Sequence, residues 1–240
     1  MGSGVTGNTA DSGSVIQGSI PCSPAKMSRV RKQADGQPVA ESTRDALLRI
    51  AVEQLDGGGE AAVRLEAILA EADCSPSSLY HHFGNLRGLI EEAHIVRFAR
   101  IQRERTAEFS RAIEHIETRE ELVRFFDAAI EQFLDASGVT SRGRRANALG
   151  STYNRPDFAK RLGEAFMETC DSLAAAFRVP QLRGLILPTL DTTSFAVWVQ
   201  GLFFSRVLLE LAGDDVVGAQ WNAHTKRAAY FLLFGTDNPA

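Results

Sequence analysis

From residue 43 onward, apolar side chains recur at intervals of three and four, the spacing that lines up one face of an α-helix. Two-residue alternation, Val/Thr-rich runs and Asn-Gly turns are missing from the same stretch, so the folded part reads as all-helical. Three short helices open it. The first takes Thr43 as its N-cap, carries Ala46, Leu47, Ile50, Ala51 and Leu55 on one side, and stops at Gly57-Gly58-Gly59. The second has Leu65, Ile68, Leu69 and Ala72 at helical spacing and ends in a turn at Asp73-Cys74. Ser75 as N-cap and Pro76 at the first helical position, where its missing N–H costs nothing, then start a third helix that turns Leu79 and Phe83 inward.

After Gly84-Asn85 the pattern predicts a long helix over 86–109, loosened at its start by Gly88 and a poorly capped first turn. Further helices are predicted at 119–136, with Leu122, Phe126, Ala129, Ile130 and Phe133 on one face, and at 156–177. The next, 190–211, is apolar on all sides, yet it contains Gln200, Ser205, Arg206 and Glu210 and is bracketed by aspartates, which fits a protein interior rather than a bilayer. The last, 214–234, carries Val217, Trp221, His224, Ala228, Phe231 and Leu232 on one side. Two such helices exceed what one intramolecular core consumes, so a helical dimer interface is expected, with Trp198, Leu202, Trp221, His224, Ala228 and Phe231 as its candidates.

Residues 1–40 are rich in Gly, Ser, Thr and Asn and are expected to be disordered. Residues 41–88 form the three-helix unit, 89–236 a larger helical domain, and 237–240 a tail. Lys26, Arg29, Arg31 and Lys32 are the one basic cluster of the leading segment, a groove-binding arm or a solvated tail, and Met27 offers an alternative start.

With 240 residues, 44% of them hydrophobic, the chain has enough material for a sizeable core. A net charge of -4 excludes a generic polyanion binder, so contact with nucleic acid must come from local placement of charge. Cys22, Cys74 and Cys170 are odd in number and far apart, giving neither a disulfide framework nor a zinc site. No secretory signal is readable, and the cytoplasm is the expected compartment. No catalytic constellation stands at the required spacing, so an enzyme is not expected, and neither is a cofactor or metal: His81 and His82, adjacent on a helix, point about 100° apart. The Gly2, Gly4, Gly7 spacing matches a dinucleotide fingerprint by letters only, since no strand precedes it.

A short supporting helix, a tight turn and a second helix with exposed N-terminal polar residues make up a helix-turn-helix, and residues 65–83 have that plan. Ser77, Ser78, Tyr80, His81 and His82 face outward there, all able to hydrogen-bond phosphates or base edges. The run Ser75-Pro76-Ser77-Ser78-Leu79-Tyr80-His81-His82-Phe83-Gly84, with Ile68 to Cys74 before it, resembles the tetracycline-repressor family of transcriptional regulators over about residues 42–92. The resemblance implies an all-helical protein with an N-terminal DNA-binding domain and a C-terminal domain for ligand binding and dimerisation. It implies that Leu79 and Phe83 anchor the recognition helix, that Tyr80 and His82 meet phosphate and that Thr43 touches phosphate as well; Arg87 or the basic arm is left to supply the contact of the fourth helix, and Arg64 and Ser75 are further candidates. Three departures stand out: Asp73 where the family has a left-handed glycine, Leu86 where it has a phosphate-binding lysine, and Arg64 where a threonine caps the second helix. Residues 41–90 hold four arginines, no lysine and eight acidic groups, unusually acidic for a DNA reader.

For the effector, the candidates are Phe126, Phe133, Tyr153, Phe166, Cys170 and Trp198, with Asn147, Thr152, Asn154, Thr169 and Gln200 as either surface residues or hydrogen-bonders that orient a ligand. The expected function is a homodimeric repressor that a small apolar effector releases from a palindromic operator. Its rival is the same fold working as a small-molecule or protein-binding module without DNA binding, a reading that the acidic balance and Leu86 favour.

Overall fold

The computed structural model describes residues 30–32, 38–135 and 138–236. The expectations for residues 1–29, 33–37, 136–137 and 237–240, including Lys26 and Arg29 of the basic cluster and the last residue of the helix predicted over 119–136, lie outside the described residues. Val30–Lys32 (β1) and Pro38–Ala40 (β2) form an antiparallel ladder, Val30 opposite Ala40 and Lys32 opposite Pro38. This corrects the reading of residues 1–40 as unstructured throughout. The β-branched Val30 and Val39 stand on either side of Asp35-Gly36 in the sequence, a hairpin signal that a search for longer alternation passes over. The ladder belongs to a first unit, Met1–Glu41, and the helices to a second, Ser42–Ala240.

Among the described residues there are nine α-helices: α1 Thr43–Gly58, α2 Leu65–Ala72, α3 Pro76–Phe83, α4 Leu86–Ile113, α5 Arg119–Leu134, α6 Val139–Gly150, α7 Pro156–Leu182, α8 Thr192–Ala212 and α9 Asp215–Phe234. The class is all-α, as the periodicity predicts.

Most boundaries follow from their caps. Ser42, not Thr43, caps α1 by accepting from Asp45 N at 3.1 Å, because its φ/ψ is extended while Thr43 is already helical. Asp73 ends α2 in the left-handed region at φ 49°, so the aspartate does adopt the conformation usually left to glycine. The first turn of α4 is capped after all: Asn85 Oδ1 accepts from Gly88 N at 2.8 Å. Thr118 and Glu121 form a reciprocal capping box on α5, and Asp191 and Asp214 cap α8 and α9. At the far end of α4, Arg183 donates to the open carbonyls of Ile116 (2.6 Å) and Glu114 (3.0 Å).

Two predicted spans change. α7 runs on to Leu182 with the buried Pro180 inside it, past the expected stop at 177, although that proline cannot donate the bond to the carbonyl four residues back. α6 is absent from the sequence reading altogether, because the side chains that it buries include Arg142 and Arg145 rather than an apolar stripe.

Apolar burial is concentrated in two main clusters. Leu47, Ile50, Ala51, Leu55, Ile68, Leu79, Leu89 and Ala93 join α1, α2, α3 and the start of α4. Ile113, Leu122, Phe126, Cys170, Phe177, Phe195, Tyr230 and Leu233 join the end of α4 to α5, α7, α8 and α9. α4 is therefore one continuous rod shared by both cores, and it crosses the expected boundary at residue 88 without a break.

Candidate nucleic-acid interface and ligand chamber

Leu79, fully buried, and the half-buried Phe83 pin α3 against α1 and α4 and leave its opposite face to solvent. Ser77, Tyr80, His81 and His82 are exposed on that face and Ser78 is half-buried. Ser75 Oγ makes no capping bond; it lies 2.7 Å from Ser77 Oγ and 3.3 Å from Ser78 Oγ, a cluster of hydroxyls at the positive end of the helix dipole. The Arg44 guanidinium lies 5.4 Å from the centre of the Phe83 ring and sets the start of α1, with the exposed Thr43, beside the end of α3. Arg87 projects from the first turn of α4 and pairs with Glu91 at 3.2 Å. Arg64 is turned away from this set, its Nη1 donating to the carbonyls of Ala61 and Val63. The structure thus gathers Ser75, Ser77, Ser78, Tyr80, His81 and His82 on one face and leaves Arg64 occupied with its own turn.

The acidic balance of this segment is partly spent elsewhere. Asp56, at the end of α1, meets Arg144 of α6 at 2.9 Å and Arg97 of α4 at 3.5 Å; Glu60 takes a bidentate pair from Arg155 at 2.9 and 3.0 Å. The Arg155 guanidinium lowers the Glu60 carboxyl below its ordinary range despite opposing desolvation. Between them, the fully buried His94 lies 3.1 Å from Glu60 through Nε2 and 3.3 Å from Arg97 Nη2 through Nδ1. Arginine only donates, so Nδ1 accepts, Nε2–H donates, and the ring is neutral. Burial, and then the charge of Arg97, lower its proton affinity and keep it so. Arg97 Nη2 also reaches Asn147 Oδ1 at 2.7 Å. Arg97 of α4, Arg144 of α6 and Arg155, just before α7, therefore hold the end of α1 and the turn after it by charge.

A chamber of about 380 Å³ lies among α4, α5, α7, α8 and α9. Phe109, Phe126, Phe133, Phe177, Phe195 and Trp198 line it, with Phe126 stacked on Phe177 (5.9 Å) and Trp198 on Phe195 (5.6 Å). Of the expected ligand residues, Phe126, Phe133 and Trp198 are present. Tyr153 is not: it is 81% exposed in the turn between α6 and α7. Cys170 is sealed in the core, where burial raises its thiol to about 11, and Phe166 packs between neighbouring clusters. Neither lines the chamber, because the rotation of α7, which periodicity alone does not fix, turns Leu173 and Phe177 into the lining instead. The polar lining includes Gln102, Arg105, Thr106, Gln200 and Thr225. Behind Gln200 stands Arg145, which sequence reasoning missed because a buried arginine reads as surface.

A third surface lies on the outside. Along α8, Val197, Gly201, Phe204, Leu208 and Leu211 follow one another at alternating steps of four and three; Leu208 is 68% and Leu211 79% exposed, while Phe204 is half-buried against the cluster of Phe98, Ala148, Phe158 and Leu162. Along α9, Val217, Trp221, His224, Ala228 and Phe231 repeat that spacing, Phe231 61% exposed. The expected dimer candidates Trp221, His224, Ala228 and Phe231 fall on the second row. Trp198 and Leu202 do not belong to either row, since both line the chamber. α8 has the length and apolar composition of a membrane span, yet its Gln200 is buried and hydrogen-bonded and its Arg206 and Glu210 lie 3.5 Å apart. No group of three or more metal-ligating side chains occurs among the described residues.

Residues 47–93 match the bacterial regulatory proteins of the tetR family. Three solved structures share the fold. Salmonella enterica GusR is 23% identical, with 80% of this chain and 95% of that one covered and a TM-score of 0.52. The reduced form of E. coli NemR is 16% identical over 77% and 96%, at 0.52. A TetR-family transcriptional regulator from Mesorhizobium loti is 18% identical over 65% and 75%, at 0.51. No curated protein matches the chain.

Proposed function

From a chain that carries the helix-turn-helix domain of the tetR family, we propose a homodimeric DNA-binding repressor of the cytoplasm that leaves a palindromic operator when a small, mainly apolar effector enters its chamber. The observation that carries this reading is the outward face of α3, where hydroxyl and imidazole groups converge on a helix fixed from behind by Leu79 and Phe83. Ser77, Ser78, Tyr80, His81 and His82 are the base and phosphate contacts, supported by Thr43, Ser75 and Arg87. Two partly exposed apolar rows on α8 and α9 supply the dimer contact, which sets two recognition helices about one DNA turn apart. Effector binding shifts the population toward the arrangement whose α3 helices no longer fit both half-sites, through α4 and the charged junction around Asp56 and Glu60.

The test is selection of bound sequences from a random DNA library at two salt concentrations, with a Tyr80→Phe, His82→Ala double variant beside the unaltered protein. An inverted repeat that the variant loses, with affinity falling steeply as salt rises, is the expected result. Enrichment of nothing, even at low salt, moves the protein to the rival class of ligand-binding modules; the pairing of Arg44, Arg49 and Arg87 with Glu92, Glu53 and Glu91 is the observation on that side.

A further inference from the structure

At the polar end of the chamber, Gln102 Nε2 and Arg145 Nη2 donate to one oxygen, Gln200 Oε1, at 2.6 and 2.8 Å. Because arginine has no acceptor, the contact fixes which end of the Gln200 amide is oxygen, and the shared oxygen then obliges Gln102 to present its NH₂ group. The Gln200 amide nitrogen is left as a donor with no partner among the described residues. Arg145 comes from α6 and is 2% exposed; its guanidinium lies 4.5 Å from the centre of Phe203, a chamber residue, and 4.7 Å from Phe98. Its Nε and Nη1 have no hydrogen-bond partner, and no carboxylate pairs with it among the described residues. Burial lowers its proton affinity only to about 10, so it is charged at neutral pH, whereas the Cys170 thiol beside it, raised to about 11, is not. A second cation, Arg105, lines the same chamber without an ion pair among the described residues, and the one carboxylate of the lining, Glu108, is exposed.

A buried cation without a counter-charge is costly to hold, and an apolar effector gives it nothing in return. We propose that the effector is an amphipathic anion, its apolar body among the phenylalanines and its negatively charged head against Gln200 Nε2, with Arg145 supplying the charge behind that contact. This rests on the reading of the chamber as the effector site. A cavity of about 380 Å³ is of the size that holds a one- or two-ring molecule.

Two fluorescent probes that share a body separate the possibilities: 8-anilinonaphthalene-1-sulfonate carries an anionic head and N-phenyl-1-naphthylamine carries none. The full chain is expected to bind the sulfonate at least about ten-fold more tightly, as a charge-assisted hydrogen bond in a buried site does. Arg145→Met removes that preference and keeps the neutral probe. Gln200→Glu sets a carboxylate against Arg145, so it removes the preference by another route and decides the matter should Arg145→Met not fold. Equal binding of both probes, unmoved by either variant, overturns the anionic assignment and leaves the effector chamber standing. Binding of neither probe, or binding that survives filling of the chamber by Ala129→Trp, overturns the chamber reading itself.

Discussion

A methyl group on residue 88 would sit 2.2 Å from the carbonyl oxygen of Phe83, well inside contact distance and against backbone that has little freedom to yield. Gly→Ala inside a helix ordinarily gains about 1 kcal/mol. Here the close turn between α3 and α4 reverses the sign, and Gly88→Ala is expected to lower stability by about 1–3 kcal/mol in urea unfolding. A stabilised variant would mean that the turn gives way. His94 makes a second prediction at this scale. The unfolded chain protonates this imidazole near its ordinary 6.5, the folded chain only at lower pH, so below about 6.5 the unfolded state binds the extra proton and stability falls. Glu60 acts in the same direction further down, its contribution lost as pH falls through a carboxyl value already below 4.5. The thermal midpoint should drop between about pH 7.5 and about pH 5.5, and His94→Gln should flatten that drop. A slope unchanged in His94→Gln would place the pH sensitivity elsewhere.

At the scale of elements, α6 carries the clearest lesson. Its arginines face three ways: Arg142 donates to Glu210 of α8, Arg144 to Asp56 of α1, and Arg145 to Gln200 at the chamber. The Asp56–Arg144 pair is partly exposed, so a double-mutant cycle of Asp56→Asn with Arg144→Gln should give a coupling of only about 0.5–1 kcal/mol. Additive effects would show that α6 docks on α1 without it. What makes α6 a connector is also what hid it, since a helix that buries arginine and alanine leaves no apolar stripe to read. The other eight helices were legible because each turns Leu, Ile or Phe inward at three and four residue steps. The helix α3 was legible for another reason: its proline at the first position, its anchors and its outward polar groups all lie between Pro76 and Phe83, so local rules decide them. The chamber is built from five helices, and Gln102 and Gln200 meet across 98 positions of sequence. Helical spacing selects a face, as for Phe126 and Phe133, but it cannot rotate α7 to decide between Phe166, Cys170 and Leu173, of which only Leu173 reaches the lining.

For the whole molecule, the proposed pairing of two α3 helices turns on the rows along α8 and α9. Steps of four and three are those of a helix seam made for another helix, and neither row holds a charged side chain apart from His224 when protonated. Such rows left in water would expose an apolar surface larger than single scattered residues account for. In the proposed dimer a second copy of the chain would present the same two rows, and four helices would enclose what one chain leaves open. Leu208→Glu combined with Phe231→Glu places a carboxylate one step from the end of one row and at the end of the other. Because both side chains are exposed in the single chain, the substitutions should leave its own core and its helical content intact. Sedimentation should then show a dimer for the unaltered protein and a monomer for the variant. An inverted repeat bound by the first should be bound far more weakly by the second, since one α3 gains nothing from its partner's grip. A variant that still sediments as a dimer would place the subunit contact on another surface, and the spacing of the half-sites would have to be read from there.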